Sequence, residues 1–169
     1  MKYLYSLLLF VLCLVSEKTF ATHNRAGEIS YKHISNNTFE ITITVYNKNP
    51  FTSPTPVAYR YFLDDVKWGD GDSSRVYKSD SLNICDSIIK NEYKTRHTYP
   101  GPGRYTICWG ERNRNGGICN IKNSDNVAFY LQSELEFKTP QFIGYNSSVV
   151  FLNSPVTFAH VGIPYRYNS

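Results

Sequence analysis

The sequence predicts an all-β domain, a sandwich of about seven or more short strands, on three observations. Apolar and polar residues alternate with a period of two, most cleanly at Phe39, Ile41, Ile43 and Val45 against Glu40, Thr42, Thr44 and Tyr46. Tight-turn chemistry separates such segments, chiefly Trp68-Gly69-Asp70-Gly71-Asp72 and Tyr99-Pro100-Gly101-Pro102-Gly103. The 14 tyrosines and 10 phenylalanines suit pleated, half-buried surfaces, and no stretch reads as a helix of useful length.

Residues 1–21 are expected to be a signal peptide. Lys2 gives a minimal basic start, Tyr5 to Val15 an apolar core, and Thr19-Phe20-Ala21 a small-x-small site with cleavage between Ala21 and Thr22. That apolar core is shorter than the roughly 20 residues of a membrane-spanning helix, and no later stretch approaches that length. Removing 21 of the 169 residues leaves 148, enough for one ordinary domain with its own core. The formal charge of +4 falls to +3 when Lys2, Lys18 and Glu17 leave. The basic residues are scattered, so nucleic acid is not expected as a partner.

Glu28 to Ile34 alternates as a first strand, and Ser35-Asn36-Asn37-Thr38 turns it into the Phe39 to Tyr46 strand. Asn49 to Pro56 holds Pro50, Pro54 and Pro56, which exclude helix and central strand. Val57 to Trp68 reads as a strand bent at Asp64-Asp65, with Ser74 to Lys78 as its partner. Ser79 to Asp86 reads as polar and irregular, and Ile88 to Thr98 as extended. After the proline-glycine turn, Tyr105, Ile107 and Trp109 alternate with Arg104, Thr106 and Cys108. Asn126 to Phe137 closes the set through Val127, Phe129 and Leu131. Strand number and spacing point to an immunoglobulin-like sandwich over residues 22–137, with 138–169 as a C-terminal extension or the start of a truncated further module.

Cys85, Cys108 and Cys119 remain after signal removal, and an oxidising compartment allows one bridge among them. Cys108 with Cys119 is the favoured pair, because they flank the turn-like Arg112 to Gly117; three reduced, packed thiols are the alternative.

Asp65-Val66-Lys67-Trp68-Gly69-Asp70-Gly71, followed by His97-Thr98-Tyr99-Pro100 and Gly103-Arg104-Tyr105-Thr106-Ile107, resembles the PKD domain, an immunoglobulin-like module. Thr22 to Ile29, Asn113 to Gly117 and Asn123-Ser124 are similar to the N-terminal region of large exported Bacteroidota proteins with PKD domains and a gliding-motility-associated C-terminal sorting domain. The resemblance covers Thr22 to about Pro155, and no sorting domain follows, so the periplasm stands beside the cell surface as a destination. It implies that Trp68, Gly69, Asp70, Gly71, His97, Tyr99, Pro100, Gly103 and Tyr105 hold the fold together.

Candidate chemistry competes with structural explanations. Asp70 and Asp72 offer oxygens to Ca²⁺, but that ion takes 6–8 ligands and the loop lacks a spaced acidic set, so a structural turn is the favoured reading. His97, Thr98 and Tyr99 suggest an acid-base cluster only in outline, and His23 suggests a copper ligand only if cleavage falls one residue later. Asp80-Ser81-Leu82 and Asp86-Ser87-Ile88 match a three-residue O-glycosylation pattern. No nucleophile elbow, phosphate loop or CxxC is present. No cofactor is expected. The preferred function is a non-enzymatic module of a cell-surface or adhesin-like protein, displaying, spacing, or binding protein or glycan through aromatics such as Tyr46, Tyr59 or Tyr61. The alternative is an accessory domain of a secreted hydrolase whose catalytic part lies elsewhere.

Overall fold

A computed structural model describes residues 24–51, 60–85, 87–112, 120–138 and 145–151, with 114, 116, 118, 161, 162 and 164. The signal segment and the cleavage site at Ala21 and Thr22 lie outside the described residues, as does His23.

Among the described residues, seven strands follow in order: β1 (Asn24–Ser35), β2 (Thr38–Lys48), β3 (Phe62–Lys67), β4 (Ser73–Cys85), β5 (Ile88–Thr98), β6 (Gly103–Glu111) and β7 (Phe129–Phe137). A 3-10 turn at Ser124–Asn126 precedes β7. All ladders are antiparallel, in the order β1-β2-β5-β4-β3-β6-β7.

The long β4 explains how one ladder order makes two layers. Its first part pairs with β3 through Val76↔Leu63 and Tyr77↔Phe62, and from Lys78 onward it pairs with β5. The sheet folds over at that point, so β1-β2-β5-β4 faces β3-β6-β7, the strand grouping of an immunoglobulin-type sandwich. The alternating apolar faces meet inside. Phe39, Ile41, Ile43 and Val45 of β2 share one core with Leu63, Val66, Ile107, Leu135 and Phe137. Each fully buried side chain of this size contributes about 1.5–3 kcal/mol. The layers also meet at their edges, where a Cβ on Gly27 of β1 would stand 2.8 Å from Leu131 of β7 and the Tyr31 hydroxyl donates to the Glu134 carbonyl.

The expected bend at Asp64-Asp65 is a β-bulge. The β3–β4 register shifts between Leu63 and Val66, and Asp65 takes φ 51°, a left-handed conformation that aspartate tolerates better than most side chains.

One expectation is corrected. Ser79 to Cys85 is not irregular but the second half of β4. It lies at the edge of its layer with Ser79 to Ile84 exposed, so no apolar alternation marks it. Part of the 138–169 extension lies against the sandwich. Tyr145 stacks on His33 with ring centroids 3.6 Å apart, and both Tyr145 and His33 lie edge-on to Phe39. The Ser148 N–H donates to the Tyr31 carbonyl at 2.9 Å, and the Tyr31 N–H donates to Ser148 Oγ at 2.8 Å. Tyr145 to Ser148 thus forms a strap on the outer edge of β1.

Candidate functional site

The two halves of the motif come together at one end of the sandwich, where the β3–β4 turn meets the end of β5 and the start of β6. Trp68 is buried and its N–H donates to the Asp72 carbonyl, closing the turn. Gly69 has φ 90°, and a Cβ there would fall 2.5 Å from the Thr106 nitrogen, so only glycine lets this turn lie against β6. Asp70 uses both carboxylate oxygens internally: Oδ1 accepts from the Asp72 N–H at 3.1 Å and Oδ2 from His97 Nε2 at 2.7 Å. Burial pushes the Asp70 carboxyl up, but the His97 bond, the Asp72 N–H and the His97 charge outweigh it, so the carboxyl lies below its ordinary value.

Aromatic rings complete the staple. The Trp68 indole stacks on the His97 imidazole at 5.0 Å and 18°. The Tyr99 hydroxyl donates to the Trp68 carbonyl at 3.3 Å, and its ring stacks on Tyr105 at 4.2 Å. Burial raises the Tyr99 phenol far above its ordinary value, with the Asp70 charge adding to the effect, so it stays a donor. The Tyr105 hydroxyl donates to the Gly101 carbonyl at 2.7 Å, bracing the Pro100-Gly103 turn as the tyrosine corner does in immunoglobulin-type sandwiches. This arrangement consumes its own polar groups. It offers no nucleophile beside a base, and among the described residues no three His, Cys, Asp or Glu side chains are grouped to hold a metal ion.

The opposite end carries a partly buried polar chain, with Asn24 and Asn91 buried, that the sequence reading missed. The Ser81 hydroxyl donates to Asn91 Oδ1 at 2.7 Å, Asn91 Nδ2 to Asn47 Oδ1 at 2.9 Å, Asn47 Nδ2 to Asn24 Oδ1 at 2.6 Å, and Asn24 Nδ2 to Glu111 Oε2 at 2.9 Å. The chain runs one way and ends on a carboxylate that Arg60 neutralises. Dipoles aligned head to tail polarise one another, which strengthens each bond. A pit about the size of one water molecule opens beside it, between Asn47, Arg60 and Asn91. A signal existed: asparagine is depleted in strands, yet Asn47 and Asn91 lie within otherwise strand-like runs.

The other sequence-named residues separate. Cys108 is a free thiol opposite Gln132 of β7, and Cys119 lies outside the described residues, so the favoured bridge is not supported. The strand that pairs with β6 is β7, which starts at Phe129. Cys85 lies 3.7 Å from Ser87 Oγ. Tyr46 is buried and is not a contact residue, Tyr61 is exposed, and Tyr59 lies outside the described residues. The Ser81 hydroxyl is engaged by Asn91, Ser87 is half-buried, and Asp86 lies outside the described residues.

The antiparallel sandwich with its stapled turns defines an all-β domain, and among the described residues no helix is long and apolar enough to cross a membrane. Compared with models of protein families, curated proteins and solved structures, the chain matches none.

Proposed function

We propose that this chain is an exported, non-enzymatic PKD-like module of a cell-surface or adhesin-like protein, acting in display, spacing, or the binding of protein or glycan. One observation carries the reading: the motif residues from Trp68 to Tyr105 spend their polar atoms on one another, leaving a rigid scaffold and no group aimed at a substrate. A sandwich whose β3–β4 turn is pinned by His97 of another strand suits spacing, because the turn is fixed to the scaffold. Exposed aromatics, Tyr61 and Tyr77 among them, supply contact area on the outside.

The test is protease shaving of intact cells, coupled to a hydrolysis screen on the purified chain. The reading expects the chain to be cut by protease added outside the cell, and no turnover of peptide, ester or glycoside substrates. Turnover abolished by a single substitution in the chain would overturn it. So would protection of the chain until the cells are lysed.

A further inference from the structure

The outer face of β3 and β4 carries a side-chain cluster that the core does not need. Phe62 and Tyr77 are cross-strand partners, with ring centroids 6.0 Å apart at 70°. The Arg75 guanidinium lies over the Phe62 ring, 4.0 Å from its centroid, and its Nε donates to Asp64 Oδ1 at 2.7 Å. Tyr61, just before β3, is 67% exposed and Tyr77 64%. Phe62, Asp64, Arg75 and Tyr77 are therefore held against one another, with Asp64, Arg75 and Tyr77 standing in water. Exposed ion pairs stabilise a fold by at most a small amount, so a cluster this ordered is poorly explained by stability.

We propose that this cluster is a carbohydrate-binding site for neutral polysaccharides, with the Tyr77 ring contacting a pyranose ring and the Asp64–Arg75 pair hydrogen-bonding adjacent hydroxyls. The chemistry of the patch selects this partner. A pyranose has an apolar C–H face that packs on aromatic rings and a rim of hydroxyls that both donate and accept. The guanidinium fork supplies donors and the carboxylate supplies acceptors, already paired in one place, so hydroxyls replace water without breaking the pair. One positive and one negative charge leave the cluster neutral, so an acidic glycan gains no net attraction. A protein interface would bury the ion pair and bear its desolvation cost. The inference rests on the non-enzymatic binding-module reading and names the ligand class and the face.

The test is affinity electrophoresis of the full exported chain through gels containing a β-glucan, a galactomannan, a xylan or alginate, alongside Tyr77→Ala, Arg75→Ala and Tyr130→Ala. At least one neutral polysaccharide is expected to retard the unaltered chain and Tyr130→Ala, while alginate does not. Tyr77→Ala and Arg75→Ala are expected to weaken that retardation about tenfold with unchanged thermal melts. Retardation left intact in Tyr77→Ala and Arg75→Ala would overturn this site while leaving a glycan-binding module standing. No retardation by any neutral polysaccharide, or retardation by alginate alone, would overturn the ligand class, whereas the module reading falls only with protease protection or substrate turnover.

Discussion

His97 and Asp70 lie 27 positions apart in the chain, yet Nε2 of the imidazole stands 2.7 Å from Oδ2 of the carboxylate, beneath the stacked Trp68 indole. The contact ties the β3–β4 turn to the end of β5. Each partner is mostly shielded from water, with side-chain exposures of 14% for His97 and 5% for Asp70.

That shielding makes the pair sensitive to truncation. His97→Ala is expected to destabilise the domain by about 2–3 kcal/mol, because it leaves a buried carboxylate with one partner fewer and removes a ring from the stack. The pH dependence has a defined sign. The Asp70 carboxyl is depressed below its ordinary value, so its stabilisation is present above the ordinary carboxylate range and is lost as pH falls through the lower folded-state value. Urea unfolding of the native chain and Asp70→Asn between about pH 2 and pH 7 checks this: the stability gap should be widest near neutrality and shrink on the acid side of about pH 4. A gap independent of pH would contradict it.

The two glycines of the turn should differ in their tolerance of a methyl group. Both have positive φ, 90° at Gly69 and 103° at Gly71, but only Gly69 has a backbone atom in the way of a Cβ. Gly71→Ala should cost about 1–2 kcal/mol from backbone strain alone. Gly69→Ala should cost more than that, about 3 kcal/mol or above, since the turn must also move away from β6. Thermal melts of the two variants side by side decide the order.

Asn47 is the middle link of the polar chain, donating to Asn24 and accepting from Asn91. Asn47→Leu removes both bonds and strands two buried amides, with an expected loss of about 2–4 kcal/mol. A double-mutant cycle of Asn47→Ala with Asn91→Ala should give a coupling energy of about 0.5–3 kcal/mol, whereas additive effects would mean that the bonds are not shared.

Ending the chain at residue 138 removes the strap. Tyr145 covers His33 and packs against Phe39 and Phe137, and Ser148 occupies the backbone N–H and carbonyl of Tyr31. The shortened chain is expected to lose about 2–4 kcal/mol and to exchange the Tyr31 amide proton faster, read by hydrogen exchange. An unchanged melt would mean that the strap is ornamental.

Legibility in the sequence followed the range of the physics involved. The β2 alternation at Phe39 to Val45 is written in neighbouring residues, and all four of its apolar side chains are buried. The bend at Asp64-Asp65 was legible because two consecutive acidic residues interrupt an apolar run. The second half of β4 was not, because an edge segment exposed along its length needs no alternation. Tyr46 misled for the opposite reason: it alternates onto the polar-looking face of β2 yet is only 5% exposed. The Asn24-Asn47-Asn91 chain was illegible as a unit, since nothing local signals that three asparagines on three strands share one row.

The sequence by itself determined that the chain is all-β, where most strands run and where its tightest turn falls, because period-two alternation and positive-φ glycines act over a few residues. The tertiary structure alone decided that β4 serves both layers, that Asn24 reaches Glu111 across 87 positions, and that Tyr145 returns to His33. These are choices between partners distant along the chain. Such choices are made by which faces bury together and which polar groups then find each other, and a residue's neighbours in sequence carry no record of them.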